Sequence, residues 1–144
     1  MPRTPLTADS LNEQRAALGL PPHTGGDDDA GLRRAAFETV VAAGEAGTEA
    51  SRPVVRGAVR HLLDVLAERA PGRSVEVRVP PHAAVQCVEG PHHKRGTPPN
   101  VVETDAATWI ALATGRVQWA DAVEDGRVRA SGARADLSSY LPLE

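Results

Sequence analysis

Between Ser74 and Val79 the chain alternates polar and apolar residues one for one, Ser-Val-Glu-Val-Arg-Val. A period of two marks a strand with one face buried. Pro80-Pro81 ends it, and Ala83–Glu89 reads as a second strand, with Val85 and Cys87 on one face and Gln86 on the other; Val88 breaks the alternation. Asn100–Glu103 is a third strand. Arg127–Ala130 is a fourth, polar on one side only and ended by Gly132. In this register Val75, Val77, Val79, Val85, Cys87, Val128 and Ala130 are expected beneath helices. Glu76, Arg78, Gln86, Arg127 and Arg129 are expected in solvent. A slip of one residue would invert every assignment.

Elsewhere the period is helical. Leu32, Ala36, Thr39 or Val40, and Ala43 form a narrow stripe from Ala30 to about Ala46, preceded by Asp27-Asp28-Asp29, whose carboxylates suit a helix N-terminus. Ser51, with Pro53 in the first turn, starts the most amphipathic helix of the chain. Val55, Ala58, Val59, Leu62, Val65 and Leu66 recur there at three- and four-residue spacing until Pro71-Gly72. Thr104 or Asp105 caps a helix carrying Trp109, Ile110, Leu112 and Ala113 to Gly115. Val117–Asp125 forms another, closed by Gly126. Asp136 is placed to cap a last turn or two through Leu137 and Leu141.

Residues 1–29 read as an arm. Ser10-Leu11-Asn12-Glu13 matches a capping box ahead of a short helix, which Gly19 and Pro21-Pro22 then break. So short a helix is marginal alone, and a loosely docked or disordered arm is expected. Residues 30–144 then form one domain, with helices over 30–70 and a sheet-helix body over 74–144. The fold class is α/β in the α+β sense: two layers, a mostly antiparallel sheet of four to five strands, and helices packed on one face.

Composition narrows the function. Among 144 residues, 19 acidic against 16 basic give a net charge of −3, whereas duplex-binding domains carry a basic excess. Nucleic acid is therefore not an expected partner. The longest apolar run is the pentapeptide Trp109–Ala113, far short of the ~20 residues a bilayer span needs, so stable membrane insertion is not expected. Met1-Pro2-Arg3 is followed by no hydrophobic signal region, and one cysteine excludes an intramolecular disulfide; together these indicate a cytoplasmic location.

The stretch Asn100–Pro142 resembles the C-terminal half of the sterol-carrier-protein-2 family. The likeness rests on Thr104-Asp105 leading into the Trp109 helix, then Gly115, Trp119-Ala120-Asp121-Ala122, Gly126, the strand Arg127–Ser131, Gly132 and Ala135-Asp136-Leu137. The blocks Val75–Pro81 and Pro91–Asn100 look like the family's bacterial SCP-ortholog branch. That resemblance implies a non-enzymatic, cofactor-free cytosolic module that holds an apolar small molecule in a cavity between sheet and helices. This chain has only four aromatics and short, Ala-rich helices, so the expected cargo is an acyl chain or similar lipid rather than a sterol. Related domains also occur appended to thiol-dependent isomerases. The competing expectation is accordingly a protein-interaction or accessory module with a filled core, a protein partner or a homodimer.

Candidate cargo contacts are Trp109, Leu112, Trp119, Val123, Leu137 and Leu141. The plainer reading of Trp109 and Trp119 is as core anchors, and both readings hold together if the core encloses a cavity. The loop Gly90–Pro99 is longer than a hairpin needs and carries His92, His93, Lys94 and Arg95, a candidate contact for an anionic head group; its plain reading is a solvated loop tip. His82, Cys87, His92 and His93 are metal-ligand types. However, residues 82 and 87 project to opposite strand faces and the two adjacent histidines suit one tetrahedral site poorly, so no metal is expected. Asp121, Glu124 and Asp125 have no paired base or nucleophile and read as a solvated helix end. Arg127 and Arg129 read as edge-strand charge that discourages sheet-to-sheet pairing.

Overall fold

The computed structural model describes residues 4–25, 29–91 and 100–144. Its elements are α1 (Ala8–Ala17), α2 (Asp29–Glu45), α3 (Arg52–Arg69), β1 (Val75–Val79), β2 (Ala83–Cys87), β3 (Asn100–Thr104), α4 (Ala106–Ala113), α5 (Trp119–Glu124) and β4 (Val128–Ser131), then a 3-10 turn at Ser138–Tyr140. They fall into two units, Met1–His61 and Leu62–Glu144, with the division inside α3.

In the first unit the expected loose arm is instead an integrated helix. Thr7, rather than Ser10, is the cap: its hydroxyl accepts from the Ser10 amide at 3.1 Å, and the Ser10 hydroxyl accepts from the Thr7 amide at 3.3 Å. That capping box lies one turn earlier than Ser10–Glu13 suggested. Leu11 is fully buried with Leu32, Ala35, Ala36 and Val54. Arg15, also buried, donates from Nε to the Pro21 carbonyl at 2.8 Å and from Nη1 to the Thr39 hydroxyl at 3.2 Å. Gln14 and Ser51 bond reciprocally at 2.7 and 3.0 Å. One buried leucine and a satisfied guanidinium hold α1 where propensity alone would not.

The second unit is built on a four-stranded sheet in the order β2-β1-β3-β4. The outer pairings are antiparallel: β1 with β2 through a short turn at residues 80–82, and β3 with β4 through α4 and α5. The central pair, β1 with β3, is parallel, with Val75 opposite Asn100 and Val77 opposite Val102. A parallel pair cannot be joined by a hairpin; here β2 returns the chain to the end where β1 began, and β3 starts from that end on the other side of β1.

The assigned register stands in the centre of the sheet. Val75, Val77, Val79, Val102 and Cys87 are buried, Glu76, Arg78 and Glu103 are half-buried, and Arg127 and Arg129 are exposed. It weakens at the edges: Val85 is half-buried, and Ala130, expected beneath helices, is exposed although its neighbour Val128 is buried. An edge strand has a neighbour on one side only, and a methyl side chain there is not shielded by flanking chains.

The start of the sheet is fastened by Asn100. Its buried side chain donates to the Ser74 carbonyl at 2.8 Å and accepts from the Arg134 amide at 2.9 Å. Asp136 accepts from the Ser138 amide at 2.8 Å, so the capping role expected of it is real, although the segment it caps is a 3-10 turn. That hydroxyl-and-amide contact with Ser138 holds its carboxyl below the usual range.

Candidate functional site

Asp105 sets the geometry of α4. Its Oδ1 accepts from the Thr108 amide at 2.8 Å and its Oδ2 from the Thr108 hydroxyl at 3.0 Å, satisfying an amide that the first helical turn leaves open. The helix then turns Trp109, Leu112 and Ala113 inward at three- and four-residue spacing, and all three are fully or almost fully buried. Gly115, at φ +78, closes α4, with the Arg116 amide reaching back to the Ala111 carbonyl at 2.9 Å. The carbonyl of Ala113 accepts from the amides of Leu143 and Glu144 at 2.8 and 3.1 Å, while Arg69 Nη2 donates to the Leu143 carbonyl at 2.6 Å. Residues 142–144 are thereby clipped to the ends of α3 and α4.

The six candidate cargo contacts are not equivalent. Trp109, Leu112 and Leu137 are enclosed by protein, and Trp119 and Leu141 are half-buried. Val123 is 40% exposed, one turn beyond Trp119 on the same side of α5. His92, His93, Lys94 and Arg95 lie outside the described residues.

Cys87 is buried at the end of β2, where burial pushes its thiol up to about 11. A group so placed is a small apolar side chain at neutral pH, not a nucleophile. His82 sits at the opposite end of β2, its amide bonded to the Val79 carbonyl at 2.8 Å. Among the described residues no group of three or more His, Cys, Asp or Glu side chains is placed to hold a metal ion. None of the helices there is long and apolar enough to cross a membrane.

One feature has no counterpart in the residue pattern: an open polar cleft of about 460 Å³ where β1 and β3 end. It is lined by Pro80 after β1, by Glu103, Thr104 and Asp105 at the end of β3, and by Gly126, Arg127 and Arg129 around the start of β4. The Thr104 hydroxyl donates to the Arg127 carbonyl at 2.8 Å and ties the end of β3 to the start of β4. Only the parallel pairing sets the C-terminal ends of β1 and β3 side by side, and no local run of residues announces that pairing.

The family model described as the bacterial SCP ortholog matches residues 51–143. That span covers most of the chain, and the chain belongs to this family. It includes all of α3, the sheet, α4, α5 and the clipped segment at residues 142–143. No curated protein matches the chain. Membership in an SCP family points to a carrier-type, lipid-binding domain.

Proposed function

We propose that this protein is a non-enzymatic carrier for an apolar small molecule, an acyl chain or similar lipid, held in the second unit between sheet and helices. The observation that carries this reading is the family match over residues 51–143. The apolar groups such a ligand would need support it: Trp109, Leu112 and Leu137 are withdrawn from water, with Trp119, Leu141 and Val123 toward the surface. Ligand sites of this kind are lined mainly by aromatic and aliphatic side chains with few polar groups. His92, His93, Lys94 and Arg95 are the proposed contact for an anionic head group. The protein acts in the cytoplasm on this reading, without a cofactor.

The competing reading is an accessory module with a filled core, and one observation favours it. Trp109, Leu112 and Leu137 show almost no surface at all, as residues packed solidly against their neighbours do. Native mass spectrometry of freshly purified protein separates the two. The carrier reading expects a population heavier than the chain by the mass of a lipid, released on denaturation. A single species at the chain mass, unchanged after incubation with fatty acids, favours the filled module.

A further inference from the structure

The polar cleft at the ends of β1 and β3 differs in chemistry from the proposed cargo site. Arg127 and Arg129 stand two residues apart at the start of β4 and both line the cleft. Three carboxylates stand near them, and each has a partner in the fold. Asp105 uses both oxygens on Thr108. Asp125, next to the cleft, pairs with Arg127 at 2.7 Å. Glu103 is shared, acting on Arg78 across the sheet and reaching Arg129 at a long 3.6 Å. The Arg129 guanidinium, whose side chain is 84% exposed, is held by that one loose ion pair among the described residues. A guanidinium has five donors in a fixed fork suited to carboxylate and phosphate, and most of this fork faces the cleft and water.

We propose that this cleft binds a compact oxyanion, a carboxylate or a phosphate, between the guanidinium groups of Arg127 and Arg129. A volume of about 460 Å³ is larger than the anion alone and accommodates the body of a small metabolite or a lipid head group. The Thr104–Arg127 hydrogen bond and the pairing of Arg129 with Glu103 in the β3–β4 ladder fix the backbone from which the two arginines project. Exposed ion pairs such as Arg129–Glu103 and Arg127–Asp125 contribute little stability, so the exchange of these two carboxylates for a bidentate anion costs the fold little.

The test is a nitrogen–proton correlation NMR titration of the full chain with inorganic phosphate and, separately, acetate, with sodium chloride holding ionic strength constant. Saturable shifts centred on Thr104, Gly126, Arg127 and Arg129 are expected with at least one probe. Arg129→Gln should weaken them at least tenfold, with the remainder of the spectrum unchanged. Arg127→Gln with Arg129→Gln should abolish them. A parallel co-sedimentation with phosphatidylglycerol and with phosphatidylcholine vesicles identifies the source: anionic-vesicle binding lost in the double variant assigns a lipid head group, and free-anion binding alone assigns a soluble ligand. Shifts that never saturate with either probe, or that persist at equal affinity in both variants, overturn the proposal. The carrier reading does not depend on this cleft, and a failure here leaves it standing.

Discussion

Gly72 lies so close to the carbonyl of Val88 that a β-carbon at position 72 would overlap it, and Val88 itself holds φ at +65. The two positions lock the end of α3 to the end of β2. The Val88 amide donates to the Ala70 carbonyl at 2.6 Å, and the Val88 carbonyl accepts from both the amide and the hydroxyl of Ser74, at 3.0 and 2.6 Å. A left-handed conformation is adverse for a β-branched residue, so three hydrogen bonds keep Val88 where its side chain does not favour it. Gly72→Ala should destabilise the second unit by more than about 2 kcal/mol, since backbone must move to admit the methyl group. Val88→Gly should change stability by less than about 1 kcal/mol, because relief of the left-handed strain offsets the added freedom of the unfolded chain. Urea melts of the two variants check both values. A large loss at Val88→Gly would mean that the side chain matters more than the backbone angle.

Trp109 is enclosed at the centre of α4. Trp109→Ala is expected to cost about 3–5 kcal/mol, the range for removing a large buried aromatic. Chemical denaturation giving a loss below about 1 kcal/mol would contradict the burial of the ring.

The first unit gives a separate test. Leu11→Ala should destabilise it by about 2–5 kcal/mol, because Leu11 is fully buried with Leu32, Ala36 and Val54. Hydrogen exchange of α1 and α2 amides reads this directly. Unchanged protection in the variant would return residues 4–25 to the status of a detachable arm.

These elements show how far the sequence could be read. The period-two run at Ser74–Val79 placed β1 and its inward face, because every second side chain must choose between core and water. A cap at Thr104 or Asp105 and stops at Gly115 and Gly126 are legible because each has a specific backbone task; the structure settles the cap on Asp105. Val88 stood out as a break in alternation; its cause, a turn to positive φ, depends on Gly72 and Ser74, far enough away in sequence to be invisible there. The burial of Leu11 is not legible locally because its partners Leu32 and Val54 come from other helices. The parallel β1–β3 pair, and with it the polar cleft, depends on a crossover that no local pattern encodes. The cargo residues were reached through family resemblance, and their unequal exposure, from enclosed Leu137 to open Val123, is a product of packing.

Cys87 gives a pH test. Burial raises its thiol from 9.0 to about 11 in the folded chain. The unfolded chain releases this proton first, so the contribution of Cys87 is fully present below about pH 9 and is lost as pH rises toward about 11. Cys87→Ala should flatten the alkaline fall in stability relative to the parent, measured by urea melts across that window. Thiol labelling at about pH 8 should likewise be slow until the protein is unfolded. Rapid labelling of the native protein would mean that β2 opens readily.

The most direct measurement of the central claim is a calorimetric titration with straight-chain fatty acids of increasing length. Each buried methylene contributes about 0.8 kcal/mol before ordering costs, and burial of apolar surface gives a negative heat-capacity change. The account predicts saturable one-to-one binding that tightens by up to about fourfold with each added methylene and is lost in Trp109→Ala variants that remain folded. Heats indistinguishable from dilution at every chain length would contradict it.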